Sequence, residues 1–486
     1  MAAVEVAVAL SSGRMVLEGV AVTANMVVKD LLDRVRQKLD GLGLNSCITA
    51  LVDANGTLLD EPAQLVSTYR LTTGSTLTVV CEALPEIVAS HSAVAAVSAK
   101  GAVTTWGMSA WGGDINHVSE FLQSGVQRVV ATVAAFAALR FDGTVVTWGD
   151  PDWGGQSDHV KSRLIGVVEL FATSRAFAAL RDDGEVVTWG SSDGGGDSST
   201  VKEHLHGVKW LYACTDVFVA INGDGRILAW GSPRNPSSSS TAVPKDCIAN
   251  MPLHAASTEG AVALLRSDGA VLAWGDPDAG GEIPPEIRVE LARGVVELHS
   301  NNFAFAAVRS DGSLFCWGEE ECGGGKSLME AGVLHVFATS TAFAALTAGG
   351  KVIAWGDEEN GGDAAEVAHE LKRGGIDWIY SNCRAFAAVK TSGGVVTWGS
   401  LVSGGEAPVH AIYSQIAFVA STHAAFAAVT KQGSVIAWGS DEDGGDAAEA
   451  EAELAEGVRM VYGGAAAFAA VKNSGSIVTW GDALRG

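Results

Sequence analysis

Four sets of residues in this 486-residue chain are of types that do chemistry: seven cysteines, eleven histidines, recurrent acidic turns and a ladder of tryptophans. The cysteines are Cys47, Cys81, Cys214, Cys247, Cys316, Cys322 and Cys383. They are odd in number, irregular in spacing and without a C-x-x-C pair. Neither a disulfide framework nor a zinc site is expected, and a reducing compartment is the simpler reading. Acidic turns such as Asp276, Asp278 and Glu282, or Asp441, Asp443 and Asp446, place oxygens at nearly alternate positions, as calcium loops do. None continues to the bidentate glutamate that closes such a loop, and several copies lose the acids, so a solvated rim is expected. His91, His117, His159 and His204 have no partner acids at repeated positions, and no H-E-x-x-H, P-loop or G-x-S-x-G motif occurs. The expectation is therefore no catalytic residue, no cofactor and no metal.

Composition narrows the partners. The formal charge is −24, from 56 acidic against 32 basic residues. A surface of that sign repels phosphate backbones and anionic lipid heads, so neither nucleic acid nor membrane is an expected partner. No apolar run is long enough to span a bilayer, and the first residues carry Glu5 inside their only apolar run, unlike a signal peptide. A cytoplasmic or nuclear protein is expected.

The tryptophans reveal the elements. Trp-Gly recurs at Trp106, Trp148, Trp189, Trp230, Trp274, Trp317, Trp355, Trp398, Trp438 and Trp480, at spacings of 38 to 44 residues. Twelve residues before each stands an apolar residue: Val94, Phe136, Phe177, Phe218, Val262, Phe305, Phe343, Phe386, Phe426 or Phe468. Five residues before each stands a glycine: Gly101, Gly143, Gly184, Gly225, Gly269, Gly312, Gly350, Gly393, Gly433 or Gly475. These offsets never vary, so a rigid unit is joined by adjustable linkers. Asp-Gly between apolar runs predicts a hairpin with a two-residue turn. A turn at Asp142-Gly143 would put Leu139, Val146 and Trp148 on one face and Phe136, Ala138 and Val145 on the other. Both faces are apolar, so each sheet is expected to pack between neighbouring sheets, as propeller blades do. A further strand precedes each hairpin, as in GVVELFATS at 166–174, and short helical pieces such as VKSRL at 160–164 lie in the linkers. The fourth copy instead carries PRNPSSSSTAVPKDC at 233–247, read as a local insertion rather than a binding feature. The fold class is mainly β: a β-grasp domain at 1–83, then ten repeats of three strands and a short helix at 84–486. The repeats would form a propeller-type body, as a closed ring or an open arc.

The first 83 residues suggest the β-grasp order: a strand at 4–10, a turn at Ser11-Ser12-Gly13, and a strand through Met15 to Val22. After a cap at Thr23-Ala24-Asn25 comes a helix with the stripe Val28, Leu31, Leu32, Val35 and Leu39, then strands at 47–53 and 75–81, with turns at Asn55-Gly56 and Gly74. With TYRLTTGSTLTVV at 68–80, this region resembles ubiquitin. The resemblance implies that Tyr69 pins a loop and that Val52 and Val80 fall on the face offered to receptors. The first loop lacks a leucine for that patch, and the strand runs on into Cys81-Glu82-Ala83 without Gly-Gly, so conjugation is not expected. A β-grasp module with no ubiquitin-related role stays open.

The repeat, an apolar strand, a turn glycine and a strand ending in Trp-Gly, is similar to that of the regulator of chromosome condensation family. That family forms propellers that bind proteins, and includes a chromatin-bound exchange factor, HERC-type ubiquitin ligases and an ultraviolet-B photoreceptor. The departures are a usual histidine replaced by alanine (Ala135, Ala176, Ala385), shorter repeats, and ten of them rather than seven. The photoreceptor's tryptophans work beside arginines that hold its dimer; no matching Arg-rich run occurs here, so these tryptophans are expected to be core. The chain stops soon after Trp480, so no ligase domain is expected either. The resemblance implies a non-enzymatic scaffold, the repeat surface binding a protein partner and the first domain docking to a receptor, with ubiquitin–proteasome components as candidates. The alternatives are an accessory or substrate-recognition component of a ubiquitin ligase, and a guanine-nucleotide exchange factor for a small GTPase.

Overall fold

The computed structural model describes residues 4–9, 15–22, 31, 47–52, 58–59, 75–82, 85–231, 252–325, 327–328 and 332–483. The chain divides into two compact units, Met1–Glu86 with Val471–Ile477, and Ile87–Ala470 with Val478–Gly486. In the first, the strands β1 (Val4–Ala9), β2 (Met15–Val22), β3 (Cys47–Val52), β4 (Leu58–Leu59) and β5 (Ser75–Glu82) form one sheet in the order β2-β1-β5-β3-β4. β1 and β5 run parallel and the other pairs antiparallel. Leu31, Leu51 and Leu77 are fully buried, and Leu31 is helical. The expected turns at 11–13, Asn55-Gly56 and Gly74, the cap at 23–25, the rest of the helical stripe and Tyr69 lie outside the described residues, as does the stretch 233–247.

The ten repeats form ten antiparallel sheets, one for each repeat. In the third repeat a first strand, Val167–Ala172, pairs with a middle strand, Ala176–Arg181, which pairs with a last strand, Val186–Gly190. Nine described sheets have these three strands, and the sixth repeat adds Ser327–Leu328 beside Leu314–Gly318. The middle strands are buried on both faces: Ala135, Phe136, Ala137 and Ala138 are 0% exposed. Alanine is what makes this possible, because a residue with only a methyl group lets a second backbone come close on either side.

The hairpin corrects the two-residue turn. Arg140 N–H donates to Thr144 O at 3.0 Å and Gly143 N–H to Arg140 O at 2.9 Å, so the loop has three residues, 141–143, closed by Gly143 at φ 75°. One more loop residue shifts the register by one and exchanges the faces. Phe136 therefore stands opposite Trp148 and Ala138 opposite Val146, on one face, and Leu139 opposite Val145 on the other. The aspartate stabilises this turn in another way: Asp142 Oδ1 accepts the Thr144 N–H at 3.0 Å, and Asp183, Asp224, Asp268 and Asp311 accept from the equivalent amides.

Consecutive sheets share nine apolar layers. In the first, Ala93, Ala95, Val97 and Val103 of the first repeat meet Phe136, Ala138 and Trp148 of the second, closed by Leu122, Val126 and Val129. The other eight layers follow the same plan. Phe136 and Trp148 stack at 5.3 Å with an interplanar angle of 11°, and seven more Phe–Trp pairs stack at 5.1–5.5 Å.

Candidate partner-binding surface

Nine of the ten repeat tryptophans are buried, and Trp106 is half-buried. The indole is held by the preceding repeat. Trp148 Nε1 donates to Gly112 O at 3.1 Å, and Trp189, Trp230, Trp317, Trp355, Trp398, Trp438 and Trp480 donate to Gly154, Gly195, Gly280, Gly323, Gly361, Gly404 and Gly444 at 2.9–3.2 Å. In all eight the accepting residue is a glycine at positive φ followed directly by a second glycine. A Cβ on Gly112 would lie 2.6 Å from the Phe136 ring, and one on Gly113 only 2.2 Å from Gly107 O. Both glycines are thus required by close approach. A buried polar side chain then fixes the loop: Thr132 Oγ1 accepts from Ala135 N–H at 3.0 Å and donates to Trp153 O at 3.1 Å. Thr173, Thr258, Asn301, Thr339, Asn382 and Thr422 do the same in their repeats. Trp106, with no repeat before it, has a buried Nε1 that finds no acceptor among the described residues. All ten turn glycines adopt positive φ, from 69° to 106°. Val52 pairs with Thr78 and Ala50 with Val80, which sets the two valines two rungs apart on the β3–β5 ladder.

The first strands differ in kind. In most of them the first and fourth residues are buried, while the second is exposed and skipped by the ladder: Val167 pairs with Arg181 and Glu169 with Leu180, leaving Val168 on a bulge. The bulge recurs, and its occupants are Gln127, Val168, Lys209, Leu253, Val296, Leu334, Asp377 and Ala417. In repeats five to seven it carries Leu253, Val296 and Leu334, exposed by 52%, 53% and 49%. A large side chain held half in water at one register on three successive strands makes an apolar row.

Neighbouring first strands lie side by side. Tyr212 Oη donates to Pro252 O at 3.2 Å, and Ser300 Oγ to Ser257 O at 2.8 Å. Next to the apolar row, Glu297 joins two histidines, His299 Nε2 at 3.1 Å and His335 Nδ1 at 2.9 Å. His335 also meets the Trp378 ring at 5.1 Å, which Phe337 touches edge-on. Burial pushes the Glu297 carboxyl up, but the hydrogen bonds and charge of His299 and His335 leave it below the usual carboxylate range. Desolvation, aided by the charge of His299, lowers His254. The sequence reading missed this group. The signal was there, since His254, Glu297, His335 and Trp378 occupy the third position of successive first strands.

The other candidates lie elsewhere. Asp276 Oδ1 accepts the Asp278 N–H at 3.0 Å, Glu282 pairs with Arg288 at 3.3 Å, and Asp446 accepts the Ala448 N–H at 2.9 Å. These acids serve their own turns, and no three His, Cys, Asp or Glu side chains converge on a metal position among the described residues. His91 sits against Trp111 and His423, at 5.8 and 5.1 Å; His117, His159 and His204 lie in separate linkers. Burial pushes the Cys214 and Cys322 thiols up to about 12, and Cys383 upward as well, so these sulfurs stay protonated at neutral pH. Among the described residues no helix is long and apolar enough to cross a membrane.

No protein-family model and no curated protein matches the chain. Among solved structures, yeast RCC1 (Prp20) bound to Kap60 is 15% identical, with a TM-score of 0.34 over 66% of this chain and 86% of that one. The ectodomain of the Physcomitrella patens receptor kinase CR4 is 16% identical, with a TM-score of 0.33 over 55% and 69%. The CRINKLY WD40 ectodomain of the Arabidopsis thaliana receptor kinase ACR4 is also 16% identical, with a TM-score of 0.32 over 55% and 92%.

Proposed function

We propose that this chain is a non-enzymatic protein-interaction scaffold of the cytoplasm or nucleus, and that its partner binds the first strands of repeats five to eight. The observation that carries this reading is the apolar row Leu253, Val296 and Leu334, set on bulges beside the polar and aromatic group Glu297, His299, His335 and Trp378. Large apolar side chains with a few fixed polar groups beside them are the composition of a binding surface centre. The body is read as a propeller of the type found in the regulator of chromosome condensation family, built from residues 84–486. The sheet order β2-β1-β5-β3-β4, with its parallel β1–β5 pair, supports reading 1–83 as ubiquitin-like. Val52 and Val80 are then its receptor contacts, and ubiquitin–proteasome components its partners.

The test is proximity enrichment with the full chain against two variants. Leu253→Ser, Val296→Ser and Leu334→Ser together should remove the main partner and leave the fold intact, because the three side chains are already half in water. Val52→Ser with Val80→Ser should remove proteasome or ligase components. An unchanged partner list with the triple variant refutes the repeat surface; an unchanged list with the double variant refutes the ubiquitin-like role.

A further inference from the structure

In a chain of net charge −24, one cleft gathers cations. Its volume is about 520 Å³, and it opens between the linkers that follow the second and third repeats. His159 and Arg163 come from one linker, and Lys202 and His206 from the next, and Ser192 and Ser199 also line it. Two carboxylates also line it, and both are engaged. Glu185 is held by Arg181 at 2.8 Å, and Asp197 accepts the Ser199 N–H at 2.8 Å. Arg163 and Lys202 are exposed and make no ion pair among the described residues. The cleft thus presents two permanent cations, two imidazoles and the Ser192 hydroxyl around space for a guest, while the Ser199 hydroxyl is held by the Asp197 carboxylate.

We propose that this cleft binds a phosphate monoester carried on a side chain of another protein. A phosphate monoester has nearly two negative charges and three acceptor oxygens, enough to engage both cations and the Ser192 hydroxyl together, whereas a single carboxylate satisfies one cation. An extended polyanion is disfavoured, since acidic residues such as Asp158 and Glu203 flank the linkers and the whole chain is strongly negative. The volume suits a modified side chain with its neighbours, being within the range of small-ligand clefts. The site belongs to repeats two to four and does not depend on the first-strand surface of repeats five to eight.

The experiment uses the full-length chain and a fluorescein-labelled Gly-Ala peptide with one central phosphoserine, read by anisotropy. The phosphorylated peptide should bind at least about tenfold more tightly than its unphosphorylated twin, and millimolar inorganic phosphate should displace it. Arg163→Glu with Lys202→Glu should abolish that preference, and the milder Arg163→Gln with Lys202→Gln should weaken it, both with an unchanged thermal melt. Lys372→Glu with Arg373→Glu makes the same charge change on the exposed end of another linker helix and should leave binding intact. Equal affinity for the two peptides overturns the proposal. So does equal loss in both Glu pairs, which would mean bulk charge alone, and so does binding of inorganic phosphate without binding of the phosphopeptide.

Discussion

The middle strands and the first strands come from the same ten repeats, yet they obey different rules. Along the middle strands the residue types hardly change: Ala-Phe-Ala-Ala stands at 135–138, 176–179, 304–307, 342–345, 385–388, 425–428 and 467–470. At the third position of the first strands they read Arg128, Glu169, Trp210, His254, Glu297, His335, Trp378, Phe418 and Met460. The middle strand touches a neighbouring sheet on each face, so any change in volume is felt twice. The first strand is packed on one face and bulged toward water on the other, so its exposed positions can diverge without cost to the stack. In a repeat array, identity among copies marks packing, and difference among copies marks the place where binding can be specific.

Three substitutions would break or sharpen this contrast. Trp317→Ala removes a fully buried indole and its bond to Gly280, and should cost about 3–5 kcal/mol. Hydrogen exchange should then show lost protection in the fifth and sixth repeats; a loss no greater than that of the Leu253, Val296 and Leu334 variant would end the contrast. Gly280→Ala should cost roughly 2–4 kcal/mol, since its φ is 91° and the new Cβ would lie 2.7 Å from the Phe305 ring. Chemical denaturation measures it, and a neutral result would mean the layer is softer than its geometry implies. The smallest effect belongs to the surface. His254 has a midpoint depressed by desolvation and by His299, so its neutral form favours folding. That contribution is present above the ordinary histidine value, about 6.5, and is lost as pH falls through the depressed midpoint. A nuclear magnetic resonance titration should place His254 below 6.5, and His299→Gln should move it upward; a midpoint unmoved by the substitution removes the coupling between the two rings.

Much of this arrangement was legible before any coordinates. The constant offset from Phe136 to Trp148 identified the hairpin, and the apolar character of both faces required sheets on either side. The facing of those residues was not legible, because a glycine at φ 75° serves a two-residue turn and a three-residue loop equally well. Only the Arg140–Thr144 hydrogen bond decides between them. The paired glycines were visible as a turn, but their partner is an indole in the next copy, and nothing local in Gly112-Gly113 points to Trp148. The Glu297 group escaped for a related reason. His335 meets its acid across two adjacent strands a full repeat apart, a pairing that the order of residues within a copy does not show.

The indole-to-glycine bond also gives the array a direction. In eight of the ten copies the indole is a plug whose socket is a glycine of the copy before, so those neighbours fit in only one order. A duplicated stretch of one repeat length would arrive with both halves of the joint already made, so such an array can lengthen by copying without any new interface having to be invented. Trp106, in the first copy, is a plug that finds no socket among the described residues.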